Sequence, residues 1–294
     1  MLRRRKFTIG ILMCAIAGIV FAAFTRGWGP RPFGRAAADF ARMQAQGESL
    51  CVQFHGDAAF LVKDLVSSGE AGYRSDEPFI AASIIKIPIL AVALRAVERG
   101  QRSLEERVTI RRRDICGGSG VLKAAQVPAE VSFAELLTLM VTRSDNTATN
   151  KVIEMLGMDL LRSEFTALDL RQTVLERKMM DFVSRRKGKE NYTSAADIVS
   201  VLEGFYRRRL PHAEFALSIL KEQQVDDRLP RYLPEEIPVA HKTGLERGVV
   251  HDAGIVFTAQ GDYIICVLTG EVRNYRAAKK FIAEFSLFTY NLYN

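Results

Sequence analysis

The chain has few cysteines, the residues that stabilise small folds through disulfide bonds or zinc. Its 294 residues contain four cysteines, which is too few for a disulfide framework in a chain of this length. Their spacing matches no zinc site, and neither a metal nor any other cofactor is expected. Internal repeats and low-complexity segments are also missing. These absences exclude disulfide scaffolds, zinc modules and repeat arrays, and they favour a globular protein with a sizeable apolar core.

A large excess of charge is missing outside the first thirty residues. The formal net charge is +7, but residues 1–30 hold five basic side chains and no acidic one, so the remainder carries +2. A nucleic-acid-binding surface is therefore not expected. The arginine runs Arg111–Arg113 and Arg207–Arg209 are typical of solvated faces rather than of phosphate sites.

The N-terminal segment has the pattern of a membrane-targeting sequence. Four basic residues, Arg3–Lys6, precede the uncharged run Phe7–Phe24. A helix of these 18 residues would reach about 27 Å, close to the ~30 Å hydrocarbon core of a bilayer. Because no convincing cleavage site follows, residues 1–30 are predicted to be a signal anchor plus linker, with a cleaved signal peptide as the alternative. The rest of the chain would lie on the extracytoplasmic face of the membrane, or be secreted or periplasmic after cleavage.

Three short motifs follow one another in the remaining chain. They are S-x-x-K at Ser83–Lys86, S-D-N at Ser144–Asn146 and K-T-G at Lys242–Gly244. The first motif alone has little specificity, because S-x-x-K recurs at Ser184–Lys187 and Ser218–Lys221. Their order and spacing therefore carry the information.

Only the first S-x-x-K opens a long apolar helix, which is expected over Ser83–Arg99 and ends at Gly100. On a helix, residues three apart share one face, so the Lys86 amine can reach the Ser83 hydroxyl. A serine becomes a good nucleophile when an adjacent base accepts its proton. Burial, or a nearby cation such as Lys242, would lower the pKa of Lys86 enough for that role.

The rest of the pattern predicts a sheet formed from both ends of the chain around a helical middle, with the active site where the two meet. A capping box, Ser132 with Glu135, opens one of the middle helices. The predicted strands are Leu50–His55, Ala59–Leu65, Pro238–Thr243, Val249–Thr258 and Tyr263–Thr269, and further predicted helices are Arg35–Gln46, Thr147–Leu156, Ala195–Arg207 and Tyr275–Tyr290.

The three motifs resemble the signature of the class A β-lactamase family and its relatives among the penicillin-binding proteins. The resemblance extends to the segments Phe79–Leu90, Gly118–Leu122 and Ser144–Asn150 and runs from about Cys51 to the C-terminus. It implies the α/β (α+β) fold of β-lactamases and transpeptidases, with a five-stranded antiparallel sheet flanked by helices. In the catalytic domain, residues 31–294, an all-helical insert of about residues 100–230 would interrupt the sheet.

The resemblance also implies a role for each catalytic residue. Ser83 would be acylated by a β-lactam or by an acyl-D-Ala-D-Ala peptide. Lys86 would accept or relay the hydroxyl proton, and Ser144 would pass a proton to the leaving nitrogen. The implied enzyme is a serine hydrolase that acts on a small-molecule or peptide substrate, and a monomer is expected.

Substrate binding would involve the second and third motifs. Asn146 would hold the side-chain amide of the substrate, and Lys242 with Thr243 would bind its carboxylate. The backbone N–H groups of the nucleophile and of Leu245, which follows Gly244, would form the oxyanion hole. Removing one such donor typically costs about 3 kcal/mol of transition-state stabilisation.

One expected residue is missing from this pattern. Class A β-lactamases carry a glutamate that activates the deacylating water, and aligning residues 173–181 with them puts Met179 in its place. Loss of a positioned base costs about 10²- to 10⁴-fold in the step it serves. Asp181 is the candidate substitute, whereas Glu176 is expected to close the loop. A slow β-lactamase, a D,D-peptidase acting on cell-wall peptides and a non-hydrolytic β-lactam or wall-peptide sensor all remain open.

Other interpretations carry less support. A Ser-His-Asp hydrolase could draw on His241 or on the pair His251–Asp252, but the sequence has no G-x-S-x-G elbow. A metal role for His251–Asp252 is not favoured. The resemblance places Cys51 and Cys266 in neighbouring strands, where a disulfide and two buried free thiols are both open.

Overall fold

The computed structural model describes residues 36–293. The predicted anchor plus linker, residues 1–30, lies outside the described residues. In the part that is described, no helix is both long and apolar enough to cross a membrane.

Three strands follow the first helix of the described chain, and three more precede its last helix. The strands are β1 Asp57–Asp64, β2 Glu70–Tyr73, β3 Phe79–Ile80, β4 Arg107–Ile110, β5 Ala129–Ser132, β6 Tyr192–Thr193, β7 Val239–Glu246, β8 Val249–Val256 and β9 Tyr263–Gly270. The helices are α1 Ala36–Gln53, α2 Lys86–Glu98, α3 Phe133–Thr142, α4 Asn146–Leu156, α5 Met158–Ala167, α6 Phe182–Arg186, α7 Ala195–Tyr206, α8 Ala213–Lys221 and α9 Tyr275–Tyr293.

The predicted five-stranded antiparallel sheet is confirmed. Its strand order is β2-β1-β9-β8-β7, so the N-terminal strand β1 pairs with the C-terminal strand β9. Successive side chains of β1 alternate between the two faces. Ala59 and Leu61 join the core formed with α2 and the helical insert, while Phe60 and Val62 join the core under α1 and α9. Helices therefore cover both faces of the sheet.

The predicted strand Leu50–His55 is wrong, because most of it belongs to α1. Met43 and Cys51 are buried, and Gly47 lies against the Phe60 ring. These positions recur every four residues, as on one face of a helix, rather than every second residue. The fifth strand is instead β2, which pairs with β1 over four residues.

The insert is mainly helical rather than all-helical. Strands β4 and β5 form an antiparallel pair within it. Strand β6 also belongs to the insert and pairs with β3, which precedes the insert. The predicted capping box is confirmed, since Ser132 Oγ accepts a hydrogen bond from the Glu135 N–H at 3.1 Å. Together, α3 and α4 place the second motif beside the start of α2.

Both buried cysteines are free thiols. Cys51 lies on α1, so its expected place on a strand beside that of Cys266 is wrong, and of the two open alternatives the structure has the two free thiols. Burial raises the pKa of Cys51 to about 12 and also raises the pKa of Cys266. Neither thiol is therefore ionised near neutral pH.

Candidate active site

The nucleophile candidate Ser83 lies on a short 3₁₀ turn, Ala82–Ile85, that leads directly into α2. The sequence predicts one helix from Ser83 to Arg99, whereas the structure begins with this tighter turn. Ala82 has φ +44°, which is unusual for a residue with a side chain. The turn packs against β7, the strand that carries the third motif.

A cavity of about 960 Å³ opens at this turn and brings the three motif regions together. Ser83, Asn146 and Leu245 all contribute to its wall. The remaining lining residues are Ile80, Ala82, Gly118, Ser119, Arg177, Met179, Met180, Phe182, Arg185, Arg186, Asn191, Glu246, Arg247, Gly248 and Glu271.

Lys86 is completely buried beneath the nucleophile turn. Its Nζ donates hydrogen bonds to Ser144 O at 2.8 Å, to Ser144 Oγ at 3.0 Å and to Asn146 Oδ1 at 3.0 Å. Burial lowers the pKa of Lys86 to about 7, and the nearby Asp145 carboxylate partly opposes this shift. A substantial fraction of this amine is therefore neutral at pH 7 and able to accept a proton.

Lys242 is the second completely buried lysine, and its Nζ donates to Thr243 O at 2.8 Å. Burial lowers the pKa of Lys242 well below its usual value, and the positive charge of Lys86 lowers it further. Asp252 opposes this shift and Arg228 reinforces it. Of the two causes that the sequence suggests for a low pKa of Lys86, burial and a nearby cation, burial is the chief one.

The middle residue of the second motif fixes the local backbone. Asp145 is fully buried and caps α4 by accepting a hydrogen bond from the Ala148 N–H at 2.9 Å. The same carboxylate accepts bonds from the N–H groups of Val121 at 2.7 Å and Leu122 at 2.8 Å. Asp145 therefore ties the loop 117–122 to α4 and holds one wall of the cavity.

Gly120 allows this close approach, and its replacement should be damaging. Its φ is +112°, and a Cβ there would overlap the Asp145 carboxylate. We expect Gly120→Ala to lower the free energy of unfolding by about 3 kcal/mol, measured by guanidinium denaturation. Gly100 has φ +68°, and a Cβ there would meet no atom within 4 Å, so Gly100→Ala should cost only about 1 kcal/mol. Equal losses in the two variants would contradict the proposed overlap.

The place expected for a deacylating glutamate is occupied by Met179 in the cavity wall. Asn150 holds the backbone there in two ways. Its Oδ1 accepts from the Met179 N–H at 2.8 Å, and its Nδ2 donates to Met179 O at 3.1 Å. The main chain at this position is therefore fixed, while the side chain offers no proton acceptor.

Asp181 does not line the cavity. Its carboxylate caps α6, accepting from the Ser184 N–H at 2.9 Å and from Ser184 Oγ at 2.7 Å. The Ser184 N–H is the main reason why the pKa of Asp181 is lowered. Glu176 lies 3.3 Å from Arg162 in an ion pair. A catalytic role for Asp181 stays a prediction, and its observed contacts are those of a helix cap.

Arg228 is a residue that sequence reasoning missed. It is 2% exposed, and its Nε has no hydrogen-bond partner among residues 36–293. Its charge lowers the pKa of Lys242, so the two cations lie close enough to interact. No sequence signal links them, because Arg228 precedes the K-T-G motif by a loop and belongs to no local pattern.

The histidines do not form a nucleophilic triad. His241 Nδ1 lies 2.9 Å from Asp252 Oδ1, but both side chains are buried and neither lines the cavity. His251 Nε2 lies 2.8 Å from Ile80 O, and its Nδ1 accepts from the Thr269 N–H at 3.0 Å. Burial lowers the pKa of His251 to about 4. Within the described range, no group of three or more metal-ligating side chains converges.

Comparison with known proteins identifies the family. The sequence profile of the beta-lactamase enzyme family matches residues 43–293. A β-lactamase of Streptomyces albus G is 26% identical over 225 residues, covering 71% of this chain and 70% of that protein. The solved structure of PBP-A is similar with a TM-score of 0.79 and 29% identity, covering 85% of this chain and 95% of that one.

A solved β-lactamase structure from Sphaerobacter thermophilus is similar to the same extent. Its TM-score is 0.78 at 29% identity, and the match covers 87% of this chain and 96% of that one. The region matched by the family profile includes all three motifs and every residue that lines the cavity. The chain belongs to the beta-lactamase enzyme family, as a class A β-lactamase-like serine hydrolase.

Proposed function

We propose that β-lactams acylate Ser83 and that the resulting ester is hydrolysed slowly. The observation that carries this proposal is the buried Lys86 amine with a pKa of about 7, one turn after a serine that opens onto the cavity. Burying the charged form of a lysine is costly, which lowers the pKa of the amine, and groups with such shifted pKa values concentrate at functional sites.

In the proposed acylation, Lys86 is the base and Ser144 is the proton relay. The neutral amine accepts the hydroxyl proton as Ser83 Oγ attacks the lactam carbonyl carbon. Ser144 Oγ, 3.0 Å from Lys86 Nζ, relays a proton to the lactam nitrogen as the C–N bond breaks. The N–H groups of Ser83 and Leu245 stabilise the oxyanion that forms on the carbonyl oxygen. The product is an ester on Ser83.

Buried positive charge supports binding of a substrate carboxylate. Lys242 opens the third motif and shares its strand with Thr243, and Arg228 is close enough for its charge to lower the pKa of Lys242. Arg247 lines the cavity and is a further candidate for this carboxylate. Asn146 lines the cavity, its Nδ2 donates to Gly117 O at 3.1 Å, and it is the candidate for holding the side-chain amide of the acyl group.

Slow release follows from the composition of the wall. Among the described residues that line the cavity, the carboxylates are Glu246 and Glu271. Glu246 is engaged by two arginines, and the position expected for the base is Met179. Water attack on the ester therefore proceeds without a dedicated base on this loop, which slows this step by about 10²- to 10⁴-fold.

A D,D-peptidase is the second candidate function. Met179 favours it, because a penicillin-binding enzyme turns over peptide substrates but releases β-lactams slowly. PBP-A is similar in fold, and a variant of it has been solved as an acyl-enzyme complex with penicillin G. In that case an acyl-D-Ala-D-Ala peptide would acylate Ser83 and lose its terminal D-alanine.

Labelling with a fluorescent penicillin tests the proposal. We expect one label per molecule, located on the peptide that contains Ser83 by mass spectrometry. Sustained hydrolysis of a chromogenic cephalosporin in excess would then support the β-lactamase, whereas a burst of one equivalent with D-alanine release from a D-Ala-D-Ala peptide would support the peptidase. Folded protein that takes up no label would contradict both.

We also propose that the chain acts on the extracytoplasmic side of a membrane. The basic residues Arg3–Lys6 and the uncharged run Phe7–Phe24 support this location. Fractionation of cells, with and without a protease applied from outside, distinguishes a membrane-anchored form from a released one.

A further inference from the structure

Two arginines and two glutamates form a closed network at one side of the cavity. Arg177 donates to Glu190 Oε1 at 2.7 Å and to Glu246 Oε1 and Oε2 at 3.0 and 3.2 Å. Arg185 donates to Glu246 Oε1 at 2.5 Å and lies 3.0 Å from Glu190 Oε2. Each arginine therefore contacts both carboxylates.

The network is sheltered from water. The side chains of Arg177 and Glu190 are 4% and 8% exposed, and those of Glu246 and Arg185 are 21% and 27% exposed. Ion pairs that are this buried are screened little by salt, and breaking one leaves a charge without a partner. Hydrogen bonding to both glutamates also raises the pKa of Arg177, against the effect of its burial.

The four residues come from two separate parts of the fold. Arg177, Arg185 and Glu190 belong to the segment 173–191, which carries Met179 and includes the short helix α6 with Arg185; this segment is called the loop below. Glu246 is the last residue of β7 and directly follows Leu245. Glu246 is therefore the member of the network that joins the loop to the strand end of the third motif.

Other contacts hold the loop but do not reach that strand end. Asn191 closes the base of the loop, since its Oδ1 accepts from the Glu176 and Arg177 N–H groups and its Nδ2 donates to Arg177 O. Asn150 on α4 holds Met179. Strand β7 pairs with β8 from Val239 to Glu246, with Leu245 opposite Val250, and the chain then turns at Gly248.

We propose that Glu246 is a positioning residue for acylation, because its two arginine contacts fix the end of β7 and hence the Leu245 N–H. This inference rests on the proposed function, in which that N–H stabilises the oxyanion. An oxyanion donor is effective only when it is already aimed at the developing charge. A displacement of a fraction of an ångström at the strand end would slow acylation without removing any reacting group.

The test compares two neutralising variants of the same network. Glu246→Gln removes the charge on β7, and Glu190→Gln removes the matched charge that contacts the same two arginines from within the loop. Acylation by fluorescent penicillin is followed by stopped flow over a range of concentrations, which separates the maximal rate from the half-saturating concentration. The labelled fraction at completion and the thermal unfolding midpoint are measured for each variant.

We expect Glu246→Gln to lower the maximal acylation rate about tenfold, with little change in the half-saturating concentration and full labelling at completion. Glu190→Gln should lower the unfolding midpoint and keep the maximal rate within about twofold. Arg185→Gln should slow acylation in the same direction, and its effect should not add to that of Glu246→Gln.

An unchanged maximal rate in Glu246→Gln would overturn the inference while the proposed function stands. Equal rate losses in Glu246→Gln and Glu190→Gln would also overturn it, because the network would then act only through stability. If Glu246→Gln folds poorly, Arg185→Gln decides the question by the same rate. An unlabelled wild-type chain would overturn the proposed function itself, and this inference with it.

Discussion

Replacing Met179 with glutamate should speed release of the acyl-enzyme by about 10²-fold or more. Met179 lines the cavity and is only 8% exposed, and Asn150 fixes its main chain through two hydrogen bonds. A carboxylate introduced there would extend from a rigid backbone toward the ester on Ser83. It would accept a proton from the attacking water, which the methionine side chain cannot do. The half-life of penicillin-labelled protein, measured after removal of free ligand, gives the rate directly.

Three variants separate general-base catalysis from other causes. Met179→Gln has the size of the glutamate without its basicity and should release the acyl group no faster than the wild type. Met180→Glu places a carboxylate on the neighbouring, more exposed residue and should have a smaller effect. Asp181→Asn tests the other candidate base, and a loss of residual turnover in that variant would assign deacylation to Asp181. Slow release from Met179→Glu would show that the missing glutamate is not the limiting feature.

The rate of acylation should fall as the pH falls through about 7, because only neutral Lys86 can accept the proton from Ser83. Burial lowers the pKa of Lys86, so the amine is charged below pH 7 and mainly neutral above it. Arginine keeps its proton throughout the accessible pH range. We therefore expect Lys86→Arg to lose about 10²- to 10⁴-fold in the maximal labelling rate, with no acid limb.

Lys242 should affect the half-saturating concentration rather than the maximal rate. It therefore serves as a control for the effect of pH on Lys86. In the proposed function the positive charge of Lys242 binds the substrate carboxylate, and burial lowers its pKa well below the usual value. Binding should therefore weaken as the pH rises, which increases the half-saturating concentration rather than the maximal rate. An acid limb that persists in the maximal rate of Lys86→Arg would show that another group is the base.

The features that the sequence predicts best are those with local patterns. The capping box at Ser132 and Glu135, the late strands and the apolar helix after Ser83 are all present. The strand predicted around Cys51 is wrong. The apolar residues there belong to the end of a helix that packs one face against Phe60, and a short apolar run of this kind cannot be told from a strand by its pattern. Strand β2 has only four residues, too few for an alternating pattern to be distinctive.

The contacts that hold the candidate site together could not be predicted, because they join residues far apart in the chain. Asp145 is bonded to backbone more than twenty positions away, and Glu246 is bonded to Arg177 at a separation of 69 residues. In neither case does the sequence around one residue indicate which distant residue it contacts. Likewise, the low pKa of Lys86 depends on how completely the fold excludes water from its amine.

The pairing of β1 with β9 has a consequence for the timing of self-assembly. Asp57 to Asp64 find their partners at Tyr263 to Gly270, about two hundred positions later. At a synthesis rate of ~5–20 residues per second, the ribosome produces these two segments many seconds apart. During that interval the backbone N–H and C=O groups of β1 that pair with β9 have no partner. An apolar strand with an unpaired edge can associate with the wrong segment or with another chain. The yield of folded protein during synthesis should therefore depend on chaperones that cover β1.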